Sequence, residues 1–292
     1  MARFILSAFA DEADKMLDGQ IEAMKENGVA CVELRGVDGK NVKDLTIDEA
    51  KDVRARLDAA GIRVSSMGSP FGKISVTDDF EEHLKQFAHA LELCKVLGCD
   101  RMRMFSFYYP KDEDPEKYQD VVFERIEKML ELAEKAGVKL CHENEKGIYG
   151  DIDDRCVDLM QVYGDRMGCI FDPANFIQCG VKPIEAFPKL EKYITYMHIK
   201  DAVLGSGAVV PAGMGDGDLP KLLDRLNGEN VTLTIEPHLT VFSGLDALQD
   251  EKVEHKFTYP DSLTAFNAAV TAIKTVLTDI GFAEGGNGVW KR

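Results

Sequence analysis

Apolar residues recur along this chain in two alternating rhythms. Long stretches carry them at helical spacing, and each such stretch ends at a glycine followed by a short, mostly apolar run of strand length. The junction stands at Glu26-Asn27-Gly28 before Cys31-Val32-Glu33-Leu34, and at Ala59-Ala60-Gly61 before Ile62-Arg63-Val64. It returns at Val96-Leu97-Gly98 before Arg101-Met102-Arg103-Met104, and at Lys135-Ala136-Gly137 before Val138-Lys139-Leu140-Cys141. Gly164 and Gly228 mark two more, before Met167 to Phe171 and Val231 to Ile235. Glycine suits these places because a helix commonly ends in a left-handed residue. Phe4 to Ala8 and Ile194 to Ile199 bring the count to eight strands, one in each unit of roughly 30–40 residues.

Strands separated by helices must pair in parallel. Eight such units predict a single closed (β/α)8 barrel over residues 1–282, with 283–292 as a flexible, glycine-rich C-terminal tail. An open doubly wound sheet would carry a glycine-rich phosphate loop after the first strand, and Ser7-Ala8-Phe9-Ala10-Asp11 is not one. Asp201 to Asp218 and Thr240 to Pro260 are long loops after late strands, expected to cover one barrel face as lids.

Composition narrows the function. A net charge of −16 argues against a nucleic-acid partner, because backbone phosphates are bound by clustered Lys and Arg, but it leaves room for a small anionic substrate in a local basic pocket. No run approaches the roughly 20 apolar residues that cross a bilayer, and the short apolar opening reads as a strand rather than a leader. Seven cysteines without a Cys-x-x-Cys pair fit a reducing cytoplasm. The oligomeric state stays open, a homo-oligomer included.

The candidate chemistry lies at the strand ends. Strand five runs into His142-Glu143-Asn144-Glu145, strand six into Asp172-Pro173-Ala174-Asn175, strand seven into His198-Ile199-Lys200-Asp201 and strand eight into Glu236-Pro237-His238. Strand residues alternate between the barrel interior and the surrounding helices. With Val138 and Leu140, Phe171, Met197 and Ile199, and Leu233 and Ile235 facing outward, parity sends Glu143, Asp172, His198 and Glu236 inward and His142 outward. Three crowded carboxylates repel unless a cation compensates them, and a mixed oxygen and nitrogen set suits one Mn2+, Mg2+, Co2+ or Zn2+ ion.

At these residues the chain resembles the xylose isomerase-like TIM-barrel superfamily of sugar isomerases and epimerases, related to the three-zinc DNA-repair endonucleases of AP endonuclease family 2. The resemblance is most specific at Glu143-Asn144, Asp172-Pro173-Ala174-Asn175, His198-Ile199-Lys200-Asp201 and Ile235-Glu236-Pro237. It implies that Glu143, Asp172, His198 and Glu236 bind one metal, with Glu143 and Glu236 also the acid/base pair. Many relatives carry His where this chain has Asn175, which can bind a hydroxyl but cannot act as a base. The extra histidine ligands of the endonucleases are missing from Ser66-Met67-Gly68-Ser69-Pro70 and Met104-Phe105-Ser106-Phe107-Tyr108, so a single metal is expected.

Lys200 and His238, each two residues beyond a ligand, are expected at the pocket mouth as substrate contacts or as partners of the carboxylates. Arg103 has inward parity and suits either an anionic substrate or a buried ion pair, with Glu33 or another acid. Asp201 is expected to cap a turn. Gly213-Met214-Gly215-Asp216-Gly217 offers backbone amides to a phosphate, against a plain loop as the simpler reading. His83, His89 and His255 are expected as surface or packing residues. The expected activity is isomerisation or epimerisation of a small sugar, sugar acid or sugar phosphate through a metal-stabilised enediolate. A lyase on the same site, a polyol or keto-inositol dehydratase, is the alternative; phosphodiester hydrolysis and a non-catalytic sugar-binding barrel follow.

Overall fold

A computed structural model describes residues 3–226, 230–240 and 257–292. Eight parallel strands close into a barrel: β1 (Arg3–Ala8), β2 (Cys31–Leu34), β3 (Arg63–Met67), β4 (Arg101–Met104), β5 (Lys139–Glu143), β6 (Gly168–Phe171), β7 (Ile194–Ile199) and β8 (Val231–Ile235). The ring closes where β1 pairs with β8, Leu6 opposite Leu233 and Ala8 opposite Ile235. Helices α1 (Leu17–Glu26), α2 (Ile47–Ala60), α3 (Phe80–Leu97), α4 (Gln119–Ala136), α5 (Asp153–Tyr163), α6 (Pro173–Gln178), α7 (Pro183–Leu190), α8 (Leu219–Arg225) and α9 (Ser262–Asp279) fill the crossovers. This is the expected (β/α)8 barrel.

The helices start and stop where local chemistry directs. Thr46 opens α2 with a reciprocal capping box to Glu49, and Asp79 opens α3 by accepting the amides of Glu81 and Glu82. Gly28, Gly61, Gly98 and Gly137 take positive φ at the helix exits as expected, which residues with a Cβ rarely do. Gly164 differs. It stays right-handed, and a Cβ there would lie 2.4 Å from the Tyr193 ring, so its smallness serves close packing. Gly228 and His255 lie outside the described residues, as do residues 241–256, most of the stretch expected as the second lid.

The pairing of β3 with β4 is short, Met67 against Met102. Beyond it the two loops continue the contact: Phe105 donates to Phe71 O at 2.8 Å, and Phe107 to Gly72 O at 2.9 Å. Gly72 must be glycine here, since a Cβ would sit 2.0 Å from Phe105 O.

Burial divides the molecule into layers. Outward strand residues such as Leu140, Phe171, Met197 and Leu233 join one large apolar core with the helices. Inside the barrel, Cys141, Ile170 and Tyr196 form a separate small apolar layer. Above it the interior turns polar, with Glu33, Arg103, Glu143 and His198 all buried. Such a polar layer is costly unless its members pair, and this one sits at the strands' C-terminal ends.

Residues 283–292, expected as a flexible tail, pair with the barrel instead. Ala283–Glu284 and Val289–Lys291 form an antiparallel hairpin, whose second strand lies against β1 with Phe4 opposite Trp290. Gly288 O accepts the Leu6 amide at 2.8 Å, and Trp290 is buried in the main core. The glycines that suggested a loose tail make the hairpin turn, and the apolar Val289-Trp290 pair anchors it.

Candidate metal centre

Each ligand candidate is placed by its own strand end. Asp172 is the N-cap of α6: its Oδ1 accepts the Asn175 amide at 3.0 Å, with Pro173 in the first turn where no amide is needed. That leaves Oδ2 facing the barrel axis, buried and without a hydrogen bond of good geometry. Asn144 clamps strand ends five and six together, accepting from the Asp172 amide at 3.0 Å and donating to Asp172 O at 2.9 Å. Glu143 and His198 close β5 and β7 on the inward parity, and Glu236 follows β8.

The structure brings these four together. Ligand atoms of Glu143, Asp172, His198 and Glu236 all lie within 4.8 Å of one another, and all four residues are buried. His198 Nδ1 is 2.9 Å from Glu143 Oε1, 3.6 Å from Glu236 Oε2 and 4.0 Å from Asp172 Oδ2. Its other nitrogen, Nε2, lies 3.2 Å from Glu33 Oε2, and Glu33 Oε1 accepts from Tyr196 OH at 2.9 Å. A carboxylate behind a ligating histidine fixes its ring and tautomer, here leaving Nδ1 to face the other three residues.

Cations surround the carboxylates. Lys200 Nζ bridges Glu236 Oε2 at 2.9 Å and Asp172 Oδ2 at 3.0 Å. Arg103 Nη1 donates to Glu143 Oε2 at 3.0 Å, the ion pair expected for it but with Glu143 as the acid. Asn175 Nδ2 donates to Asn144 O at 2.8 Å and approaches Glu143 Oε1 at 3.3 Å, while its Oδ1 has no hydrogen-bond partner. His238, in a left-handed backbone conformation, places Nε2 3.5 Å from Glu236 Oε1 and 3.4 Å from Glu12 Oε1. All four residues expected as substrate contacts therefore touch or face the ligand carboxylates.

These surroundings set the protonation. Burial opposes ionisation of Glu143, but the His198 and Arg103 charges outweigh it and hold the carboxyl down to about 2. Glu236 is likewise pulled well below its usual range, as Lys200, His238, His198 and Arg35 overcome burial. Asp172 goes the other way, to about 7, because burial together with Glu236 and Glu143 exceeds the help from Lys200. Burial also disfavours a charged His198, yet Glu143 and Glu33 lift it to about 10. The donor set fits a divalent cation: three buried carboxylates and one imidazole bring their ligand atoms within 4.8 Å of one another, more negative charge than the Lys200 ammonium between Asp172 and Glu236 balances.

Sequence reasoning overlooked the layer behind Glu236. Arg35, just past β2, approaches Glu236 Oε1 at 3.3 Å, Asp11 Oδ2 at 2.9 Å and Glu12 Oε1 at 3.0 Å. Its guanidinium lies 4.3 Å from the Phe9 ring centroid, and that of Arg103 lies 4.9 Å from the same ring. The Phe9 ring thereby attracts both cations through its π face. The apolar-acidic run Phe9-Ala10-Asp11-Glu12 was the available signal, but nothing in it tells which acid turns inward. His142 points outward to Ser106 Oγ at 2.9 Å, as parity requires.

The glycine loop near 213–217 resolves plainly. The amides of Gly213, Gly215 and Gly217 converge on the Asp201 carboxylate at 2.8, 3.0 and 2.9 Å, so they are taken up within the protein. Asp201 is the turn cap expected of it. Residues 201–202 and 209–210 form a small hairpin over this region.

The family model for the xylose isomerase-like TIM barrel matches residues 21–251. The chain belongs to that family. Among solved structures, the xylose isomerase-like chain is similar to the IolI protein with a bound zinc atom, with TM-score 0.73 and 17% identity over 94% of this chain and 99% of that one. It is similar to a probable 3-DHS dehydratase, AsbF from Bacillus anthracis, with TM-score 0.71 and 13% identity over 94% and 99% of the two chains. An L-ribulose 3-epimerase gives TM-score 0.69 and 17% identity over 96% of each chain. Identities this low establish the fold that this xylose isomerase-like barrel shares with them. No curated relative matches its sequence. No helix among the described residues is long and apolar enough to cross a membrane.

Proposed function

We propose that this barrel is a divalent-metal-dependent isomerase or epimerase of a small sugar, sugar acid or sugar phosphate, working by proton transfer through an enediolate. The observation that carries the reading is the pair of glutamates flanking His198: its Nδ1 lies 2.9 Å from Glu143 Oε1 and 3.6 Å from Glu236 Oε2. When bound, a divalent cation supplies the positive charge that stabilises the oxygen anion left as an α-proton departs. Glu143 and Glu236 are the acid/base pair on either side: an ionised carboxylate takes the α-proton, and either that carboxyl returns it or the opposite one, once it has taken up a proton from solvent, delivers its own. Both are ionised at neutral pH, and the ion pairs that keep them so also lower their basicity. Removal of the carbon proton therefore depends on stabilising the product anion more than on a strong base. Arg103, Lys200 and His238 hold the two glutamates, and Asn175 Oδ1 is the acceptor for a substrate hydroxyl. Return of the proton to the neighbouring carbon gives isomerisation; return to the opposite face gives epimerisation.

Dehydration is the second reading, favoured by one observation. Glu12, buried and raised to about 8 by that burial against the pull of Arg35, places Oε1 3.4 Å from His238 Nε2 and so stands beside Glu236 as a carboxyl able to take up and release a proton near neutral pH. A proton source beside Glu236 suits a departing hydroxyl, and one structural relative is described as a probable dehydratase.

The deciding experiment measures metal content, then incubates the loaded protein in deuterated solvent with a panel of monosaccharides, sugar acids and sugar phosphates. Deuterium at an α-carbon is expected, and Glu236→Gln should slow its entry by about 10²–10⁴-fold. Exchange that survives this substitution would remove Glu236 from the chemistry, and a fully folded protein that binds no divalent metal would remove the centre itself. Loss of water from one compound with no isomer formed would select the dehydratase.

A further inference from the structure

We propose that the substrate carries an oxyanion, a phosphate or a carboxylate, held by lysines in a cavity on the β1–β3 side of the barrel mouth. The proposal rests on reading the polar rim as a sugar-converting site, and it names the substrate class that site takes.

The metal ligands come from strands five to eight, so one half of the rim is committed to them. The opposite half encloses a cavity of about 740 Å³, walled by segments following β1, β2 and β3 and by the start of α3. That volume falls within the ~300–1,000 Å³ typical of small-molecule sites. Two side chains join the cavity to the centre. Arg35 lines the cavity and approaches Glu236 Oε1 at 3.3 Å; Lys73 lines it and reaches Glu145 Oε2, two residues beyond Glu143, at 2.8 Å.

The charge of the wall runs against that of the molecule. Lys15, Arg35, Lys40, Lys43 and Lys73 line the cavity against two acids, Asp11 and Asp44, in a chain whose net charge is −16. Arg35 and Lys73 are spent on the inner carboxylates, which leaves the three mouth lysines to hold a ligand. Lys15 is exposed and has no acid within ion-pair distance among the described residues. Lys40 pairs with Glu49, and Lys43 with Asp44, where solvent reaches both partners. Exposed pairs of this kind are worth about 0–1 kcal/mol, so an incoming oxyanion can take over the ammonium groups. The acidic remainder of the surface repels a polyanion, which favours a compact ligand with one anionic end. The other phosphate candidate, the amides of the 213–217 loop, is occupied by Asp201. Bound this way, a sugar would place its reacting carbons between Glu143 and Glu236 and its charged end in the basic cavity.

The test is calorimetric titration of the full, metal-loaded chain at low ionic strength with inorganic phosphate, gluconate and uncharged glucose as probes. The Lys15→Gln/Lys43→Gln protein is compared with a Lys128→Gln control on the exposed face of α4. Phosphate or gluconate affinity is expected to fall at least tenfold in the double variant and to stay within twofold in the control. A loss confined to phosphate marks a sugar phosphate as substrate; a loss confined to gluconate marks a sugar acid. Equal affinity in the double variant and the control overturns the proposal, as does binding no tighter for the anions than for glucose. Binding is read without turnover, so failure of deuterium exchange would reject the activity and leave this result standing.

Discussion

At the scale of single residues, the centre shows how far a strand's alternation reaches. Glu143, Asp172 and His198 read as inward from their apolar neighbours, and Glu236 from Leu233 and Ile235, because period two is a local property of the chain. What stands behind them is legible only in part: Glu33 is expected as a partner for Arg103, not behind His198, and Arg35 is not expected at all. Glu33 meets His198 across 165 residues of sequence, and Arg35 meets Glu236 across 201. Both sit at or beyond the bulged end of β2, where pairing shifts register at Val32/Glu33 and simple alternation fails. Glu33→Gln is expected to keep the fold but weaken metal binding about 10–100-fold, read by competition with a chelator, because the carboxylate orienting His198 loses its charge. A second prediction concerns His83, which sequence left as a packing residue. Its Nε2 accepts the Gly72 amide at 3.1 Å, a role only the neutral ring can fill, and burial with help from Arg125 and Lys43 lowers it to about 4. The unfolded chain takes that proton near 6.5, so the stability His83 contributes is complete above pH 6.5 and lost as pH falls towards 4. Denaturant titrations of wild type and His83→Gln should therefore differ most above pH 6.5 and converge in acid.

At the scale of elements, glycine marks helix exits in some places and tightly organised loops in others. Where a glycine ended an amphipathic run, as at Gly61 and Gly98, the strand that followed was found in place. Where glycines clustered, at 213–217 and 285–288, the same residue type reads as looseness, yet each cluster is organised by a distant group: Asp201 in one case, β1 in the other. Such organisers act through tertiary contact and leave no periodic trace. Asp201→Ala would leave the Ala202, Gly213, Gly215 and Gly217 amides without their acceptor. A loss on the order of 3 kcal/mol is expected from the stranded donors. Amide exchange should accelerate at Gly213, Gly215 and Gly217 before it does in β7.

At the scale of the whole molecule, the barrel separates stability from chemistry. Apolar residues dominate the shell between strands and helices, whereas the buried charges gather at the strands' C-terminal ends. The hairpin bearing Trp290 lies at the opposite end, beside the start of β1. Trp290→Ala should cost about 3–5 kcal/mol in denaturant unfolding, typical of a large buried aromatic, while metal affinity remains that of the wild type. A matching loss of metal would show the two ends to be coupled.

That hairpin also fixes how the molecule answers force. Arg3 pairs with Lys291 and Ile5 with Val289, so the two ends of the described chain leave the sheet side by side from one antiparallel seam. Tension drawn between them meets those contacts one at a time, opening a zipper instead of loading every bond in shear. The seam is the part that yields first under a pull on the ends, and the polar rim lies at the other end of β1, beyond the parallel pairs that close the barrel.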